Sequence, residues 1–175
     1  MEINSRALAQ EVLTAAMNIN FPYVSMGKVD SLNLFDPNEL VIFAFYAHNK
    51  DRYHNALDIG ANLGLHSLIM QRIGWNVKAY EPDPEHYARL IKNLQMNCDM
   101  AGSRQDHYGV KHWIKPHNAA VYTVYGMMGF TRVMDNLTAN HLNGYKESYG
   151  PREYMGVNTI DCRDLFDWAE FAKIE

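Results

Sequence analysis

Ala56-Leu57-Asp58-Ile59-Gly60-Ala61-Asn62-Leu63-Gly64 decides the fold, together with Tyr80-Glu81-Pro82-Asp83 further along the chain. The first segment is typical of a short buried strand that enters a glycine-containing turn and then a helix. The second is typical of another strand, which ends on a carboxylate. The sequence therefore predicts two strands with one acid at the end of each, Asp58 and Glu81. A pair of strand ends of this kind is typical of a pocket for a cofactor that contains adenosine.

Strand and helix patterns alternate through the first two-thirds of the chain. Strands are predicted at about 55–59, 76–80 and 110–114, with helices at about 63–73 and 83–97 between them. This alternation predicts an α/β fold whose strands form a parallel sheet with right-handed crossovers.

The chain before this pattern is predicted to hold a helix over about 5–18 and a loop over about 20–34. A second helix begins at Asp36-Pro37-Asn38-Glu39, where Asp36 caps free N–H groups and Glu39 reaches back in a capping box. Residues 1–35 are therefore interpreted as an N-terminal helical and loop extension, and residues 36–175 as the main domain.

The last third of the chain predicts shorter elements. Residues 120–125 and 129–133 flank Gly126, which predicts a hairpin. A short strand is expected at 157–160, a short helix at 163–168 and the beginning of a further strand at 171–174.

Composition excludes several classes of protein. The chain has 175 residues and a net charge of -4, which argues against a nucleic-acid backbone as the main partner. No stretch reaches the roughly 20 apolar residues of a membrane span, and no signal peptide begins the chain. The two cysteines, Cys98 and Cys162, match no metal spacing and are interpreted as free thiols, so we expect a cytoplasmic protein without a metal site.

The turn after the first predicted strand distinguishes two classes of cofactor. Dinucleotide-binding proteins use G-x-G-x-x-G, because the middle glycine lets the pyrophosphate lie against the backbone. Here Asn62 takes that middle position, while Gly60 permits a tight turn and Gly64 permits close packing where the helix begins. Asn62 can also adopt a left-handed backbone and bond locally.

Charge favours S-adenosylmethionine over a nicotinamide dinucleotide. S-adenosylmethionine has no phosphate and carries a net positive charge, so Asp58 attracts it, whereas the same acid repels a pyrophosphate. Glu81 can accept hydrogen bonds from both ribose hydroxyls, each worth roughly 1.5–3 kcal/mol. His66, in the first turn of its helix, is interpreted as a packed residue rather than a catalytic base.

Four segments together resemble the FkbM-type methyltransferases. Residues 58–67, Asp-Ile-Gly-Ala-Asn-Leu-Gly-Leu-His-Ser, are similar to the D-x-G-A-N-x-G motif of that family. Residues 80–94 resemble its E-P-x-P segment and the L-x-x-N helix that follows. Residues 118–121 and 157–161 resemble two later segments, so the resemblance covers roughly residues 38–175.

The resemblance implies a Rossmann-like three-layer α/β/α fold with a mostly parallel sheet, and transfer of a methyl group to oxygen. It implies that Asp58, Gly60 and Asn62 line the methionine end of the cofactor and that Glu81 binds the ribose. The expected cofactor-binding residues are completed by Ala61 and Gly64 of the same turn, by Pro82 and Asp83 near the adenine, and by Asn118 and Ala119.

The end of the sequence departs from the family pattern, which continues as K-I-D-x-E-G. Here Lys173-Ile174-Glu175 reaches that point with Glu in place of Asp. The second half of the sheet is therefore expected to be incomplete, either because this is a fragment or because it is a shortened member. An exposed sheet edge is then expected, which a second copy of the chain can cover. By position, a catalytic base is sought near residues 173–175, and no catalytic residue is assigned.

The sequence therefore predicts an S-adenosylmethionine-dependent methyltransferase that acts on a hydroxyl of a small molecule or a saccharide. Two alternatives remain open. One is a cofactor-binding domain that is catalytically incomplete, and the other is a nicotinamide-dependent oxidoreductase.

Overall fold

The computed structural model describes residues 5–26, 28–100, 102–134, 136–144 and 150–165. They form a mixed α/β fold with two four-stranded sheets and one two-stranded ribbon. Among these residues, no helix has the length and apolar character that a membrane span requires. The first elements are α1 (Ser5–Met17), β1 (Ser25–Met26), β2 (Val29–Asp30), a 3₁₀ helix (Ser31–Phe35) and α2 (Pro37–His48).

The segment predicted as a loop over 20–34 contains regular structure, so that prediction is wrong in part. β1 pairs with β2 as an antiparallel ribbon, and the 3₁₀ helix follows at once. Asp30 begins this helix, because its side chain accepts from the backbone N–H of Leu32 while the Asn33 side chain accepts from the N–H of Asp30. Asp36 caps α2 as predicted, through the backbone N–H groups of Asn38 and Glu39.

The first sheet follows the predicted alternation closely. Its elements are β3 (Asn55–Ile59), α3 (Leu65–Arg72), β4 (Asn76–Tyr80), α4 (Pro84–Asn97), β5 (Ser103–Gln105) and β6 (Lys111–His117). The strand order is β3-β4-β6-β5, in which β3, β4 and β6 are parallel. β5 was not predicted and pairs antiparallel with β6. The turn before β5 requires Gly102, since a Cβ there would lie 2.4 Å from the carbonyl oxygen of Ile114.

Helices pack on one face of this sheet. The strand register places Ala56, Val77 and Ile114 on that face. They share a buried apolar cluster with residues of α2, α3 and α4, among them Phe43, Leu65, Leu68, Leu90 and Leu94. The opposite face carries Leu57, Lys78 and Lys115. Within the described ranges, β3 pairs only with β4, and Ile59 at its end is 58% exposed.

The second sheet corrects the predicted hairpin. Its elements are β7 (Ala120–Tyr122), β8 (Gly126–Val133), a 3₁₀ helix (Leu137–Ala139), β9 (His141–Leu142) and β10 (Arg152–Asp161), in the order β7-β10-β8-β9. β7 and β8 do not pair, because β10 lies between them, parallel to β7 and antiparallel to β8. The strand predicted at 157–160 is therefore longer and central. The helix predicted at 163–168 is described only over residues 163–165, and the strand expected at 171–174 lies outside the described residues.

The segment interpreted as an N-terminal extension shares the main core. Ile19, Phe21, Met26 and Phe35 are buried in the same apolar cluster as the helices and strands of the first sheet. The second sheet has a separate cluster of three buried apolar residues, Ala120, Phe130 and Val157. The division at residue 35 stays a prediction.

Candidate functional site

Two adjoining cavities lie at the carboxyl ends of β3 and β4. We call them the larger cavity, of about 460 Å³, and the smaller cavity, of about 130 Å³. Gly60, Asn62 and Thr138 line both of them. The larger cavity is also lined by Val29, Asn33, Leu34, Asp36, Glu39, Asp58, Ala61, Leu63, Leu65, His66 and Asn136. The smaller cavity is also lined by Glu81, Pro82, His86, Phe130 and Asn140.

The turn between β3 and α3 depends on left-handed backbone conformations. Gly60, Asn62 and Gly64 have φ angles of 81°, 52° and 85°. The N–H groups of Gly60 and Ala61 donate to the carbonyl oxygen of Tyr80, at 2.9 and 3.0 Å. These bonds fasten the turn to the end of β4. The left-handed backbone predicted for Asn62 is confirmed.

Gly64 permits the close packing that the sequence predicts. A Cβ at this position would lie 3.1 Å from Cγ of Leu90 in α4. A Cβ at Gly60 would meet nothing within 4 Å, so that position needs glycine for its backbone conformation alone.

Asp58 contributes a partly buried carboxylate to the larger cavity. It accepts a hydrogen bond from the Ser67 hydroxyl in α3. Burial raises the pKa of Asp58 above its ordinary value, while the Ser67 hydroxyl and the nearby His66 act in the opposite direction.

Glu81 is 5% exposed and holds the two strand ends together. Its Oε2 accepts from the backbone N–H of Asn62 at 2.7 Å, and its Oε1 accepts from the N–H of Asp83 at 2.8 Å. Burial is the largest cause that raises the pKa of Glu81 to about 7; the two N–H donors oppose this rise, and the charges of Asp83 and Asp58 contribute to it. Each carboxylate oxygen keeps a lone pair for a further donor.

Asp83 is fully buried and already engaged in a dense network. Its carboxylate accepts from Arg132 through Nε at 2.7 Å and Nη2 at 2.6 Å, and from the Asn140 amide at 2.9 Å. It also caps α4 through the N–H groups of Glu85 and His86. Burial opposes ionisation of Asp83, but these donors outweigh it and hold its pKa below the ordinary value. The side chain therefore has a structural task, and its contact with adenine stays a prediction.

Asn118 bonds to the backbone of the segment that lines the smaller cavity, and Ala119 follows it in the chain. The Asn118 amide donates to the carbonyl oxygens of Glu81 at 2.8 Å and Pro82 at 3.2 Å. Neither residue is among those that line the two cavities. The structure therefore brings Asp58, Gly60, Ala61, Asn62, Glu81 and Pro82 to the cavities, and keeps Gly64, Asp83, Asn118 and Ala119 adjacent to them.

His66 links α3 to α2 beside the larger cavity. Its Nε2 lies 3.1 Å from Glu39 Oε2, and its Nδ1 lies 3.1 Å from the Tyr46 hydroxyl. Glu39 was expected to reach back in a capping box but pairs with His66 instead, because the first turn of α3 faces it. The packed role predicted for His66 agrees with these contacts.

Several lining residues were missed by sequence reasoning. His86 stands directly after the E-P-D-P-E segment, and its position in the first turn of α4 could have indicated it. Phe130, Thr138 and Asn140 come from the second sheet and its connections, for which the sequence predicted another topology. Because these residues lie far from Glu81 in the sequence, no local sequence pattern indicates that they line the same cavity.

Three polar atoms of residues that line the cavities lack hydrogen-bond partners among the described residues. They are Glu39 Oε2, Asn62 Oδ1 and His86 Nε2, and among those residues Glu39 Oε2 has an ionic contact with His66 alone. Buried polar atoms in proteins are normally bonded, so such atoms indicate a place where another group completes the site. Burial lowers the pKa of His86, which favours a neutral ring.

The cavities are acidic. Asp36, Glu39 and Asp58 line the larger one and Glu81 the smaller one, whereas no lysine or arginine is among the described residues that line them. A cavity of about 520 Å³, lined by α4 and the segment before β1, lies elsewhere and includes Arg89 and Lys92. Size alone therefore does not select the site, and we base the assignment on the strand ends and their carboxylates.

None of the protein families, curated proteins and solved structures compared with the chain matches it.

Proposed function

We propose that the chain binds S-adenosylmethionine and is a methyltransferase that acts on a hydroxyl of a small molecule or a saccharide. The observation that carries this proposal is the acid-lined pair of cavities at the ends of two parallel strands, with Glu81 beside their junction. In this proposal the sheet is the first half of a Rossmann-like three-layer fold of the FkbM type.

The shape of the site supports a ligand with two ends. The larger cavity, about 460 Å³, suits the amino-acid end, and the smaller one, about 130 Å³, suits a flat base. Both together fall in the range of about 300–1,000 Å³ that is usual for small-molecule sites. Asn62 and Gly60, which line both cavities, then lie beside the middle of the ligand, where Glu81 accepts from the ribose.

The charge of the site supports a cation. Asp36, Glu39 and Asp58 surround the larger cavity and attract an ammonium and a sulfonium group. A dinucleotide would bring its pyrophosphate to the same turn, where these carboxylates repel it and no described cation lines the cavity to compensate. The oxidoreductase alternative is therefore disfavoured.

S-adenosylmethionine, when bound, supplies a methyl group that its positive sulfur activates. The acceptor hydroxyl would take the methyl group from the sulfonium and release its proton to a base or to solvent, and S-adenosylhomocysteine would leave with the electron pair of the broken carbon–sulfur bond. The main contribution of this chain is to hold the reactants in line, which is worth about 7–11 kcal/mol at best. Residues 173–175, where a base was sought, lie outside the described residues.

Substitution of Glu81 tests the proposal. Glu81→Ala removes the acceptor of the ribose hydroxyls, so the affinity for S-adenosylhomocysteine should fall by about tenfold or more. Glu11→Ala is the control, because Glu11 is exposed in α1 and lines neither cavity. Equal affinity of a folded Glu81→Ala variant and the wild type would refute the ribose role.

The incomplete-domain alternative makes a different prediction. It expects S-adenosylhomocysteine to bind while no acceptor is methylated by this chain, although a longer chain transfers the methyl group. Methylation by the 175-residue chain itself would exclude that alternative.

A further inference from the structure

Arg132 lies in β8, outside every motif of the sequence, yet it forms the closest polar link between the second sheet and the site. Its side chain is 11% exposed, and it binds both oxygens of the fully buried Asp83 carboxylate. A two-point contact of this kind fixes the orientation of both partners as well as their distance. Its remaining amino group contacts the exposed Glu153 at 2.8 Å.

Asp83 connects Arg132 to Glu81, because it also bonds to the Glu81 carboxylate. The backbone N–H of Asp83 donates to Glu81 Oε1 at 2.8 Å, while Asn62 holds Glu81 Oε2 at 2.7 Å. The direction of the Glu81 carboxylate therefore depends on where the Asp83 backbone lies. Arg132 holds the Asp83 side chain from the second sheet, together with Asn140.

The second sheet also forms one wall of the smaller cavity. Phe130 is two residues before Arg132 in β8, and Asn140 donates to the same Asp83 carboxylate at 2.9 Å. The buried apolar cluster of this sheet contains only three described residues. Leu142 and Met155 pack against this cluster, which is much smaller than that of the first sheet, and the polar contacts of Asp83 tie the wall to the site.

We propose that Arg132 is a positioning residue of the ligand site: through Asp83 it holds the wall of the second sheet against the Glu81 carboxylate and keeps water from it. The proposal deepens the proposed function and rests on it for the identity of the ligand. The coupling between Arg132 and Glu81 can be measured without any ligand.

The test is the titration of the Glu81 carboxyl group, followed by carbon NMR in the ligand-free protein and assigned with Glu81→Gln. The titratable groups around it are Asp83 beside it, Asp58 on β3, His86 on α4 and Arg132 on β8. The wild type should titrate near pH 7. In Arg132→Lys, which keeps the positive charge and loses the two-point contact, the midpoint should fall by about half a unit or more, because water reaches the carboxylate. Arg132→Met also leaves the charge of Asp83 uncompensated, which raises the pKa of Glu81, so that variant is followed by another measurement.

Two controls separate positioning from general loss of stability. Glu153→Gln removes one exposed partner of Arg132, and Arg52→Met makes the Arg→Met substitution at an exposed residue that lies over the Tyr53 ring. Both should leave the midpoint at the wild-type value. If Arg132→Lys does not fold, Arg132→Met decides in its place through hydrogen–deuterium exchange of the Asn62 and Asp83 backbone N–H groups, which should be faster than in the wild type because water reaches them.

A folded Arg132→Lys variant that titrates as the wild type does, or a folded Arg132→Met variant in which the Asn62 and Asp83 N–H groups exchange as slowly as in the wild type, would overturn the proposal, even if the variant melts at a lower temperature. Calorimetry with S-adenosylhomocysteine keeps the two proposals distinguishable. Binding to the wild type tests the proposed function, and an affinity loss of about tenfold in Arg132→Met tests positioning. If the wild type does not bind this probe, the proposed function fails and the NMR titration still decides the role of Arg132.

Discussion

The two four-stranded sheets of this molecule are held in different ways. The first sheet packs its helices on a continuous apolar cluster that includes Val77, Ile114 and Leu68. The second sheet buries Ala120, Phe130 and Val157 in a small cluster and is fastened by the Arg132–Asp83 ion pair. Apolar packing therefore determines the scaffold, whereas buried polar contacts determine how the second wall of the site is placed.

The largest loss of stability is expected when the buried ion pair between Asp83 and Arg132 is broken. Asp83→Asn leaves Arg132 without its buried partner charge, so the free energy of unfolding should fall by about 3–5 kcal/mol in urea denaturation. Asp99→Asn is the control, since Asp99 forms an exposed ion pair with Lys111 and should change stability by about 1 kcal/mol or less. Similar losses in both variants would show that the buried ion pair contributes no more to the free energy of unfolding than the exposed one.

Truncation in the apolar scaffold should cost slightly less. Leu68 is fully buried in the main cluster, so Leu68→Ala should lower the free energy of unfolding by about 3 kcal/mol. Val41→Ala is the control, because Val41 is 70% exposed in α2, and it should change stability by about 0.5 kcal/mol at most. A loss at Leu68 as small as at Val41 would contradict the description of the scaffold.

The pH dependence of stability tests the burial of Glu81. Its pKa of about 7 in the folded protein exceeds the unfolded value of 4.5, so the folded state binds more protons between these values. The free energy of unfolding should therefore fall as the pH rises through this window, by roughly 3 kcal/mol at most. In Glu81→Gln this contribution should vanish, which urea titrations of both proteins at pH 4.5 and pH 8 can measure. An equal pH dependence of the free energy of unfolding in the wild type and in Glu81→Gln would contradict the raised pKa of Glu81.

The smallest effect concerns the turn that begins α3. Gly64→Ala should lower stability by about 2 kcal/mol, because a left-handed φ of 85° is strained for alanine and its Cβ meets Leu90. Gly109→Ala, at φ 80° with open space, should lose about 1 kcal/mol from the backbone alone. Thermal melts would compare the two. A larger loss at Gly109 would exclude the contact with α4 as a cause.

The sequence predicted the first sheet well because its signals are local. Asp36 and Asp83 cap helices with a proline after them, and Gly60, Asn62 and Gly64 adopt the backbone conformations that their residue types favour. The strands at 55–59 and 76–80 were found at their predicted positions.

The second sheet was not predictable in the same way. β7 and β8 are close in sequence and separated by a turn residue, which favours a hairpin, but β10 pairs with both through residues that are 19 to 39 positions apart in the chain. The same reason hid Arg132, Phe130 and Asn140 from the candidate site. The resemblance places Asp83 near the adenine, and its ion pair with Arg132 on a distant strand could not be predicted from the local sequence.

Calorimetric titration of the wild-type chain with S-adenosylhomocysteine and, separately, with NAD tests the central claim most directly. The account predicts saturable binding of S-adenosylhomocysteine at one site per chain and no detectable binding of NAD, since acids and no described lysine or arginine line the cavities. Binding of NAD without binding of S-adenosylhomocysteine would contradict it.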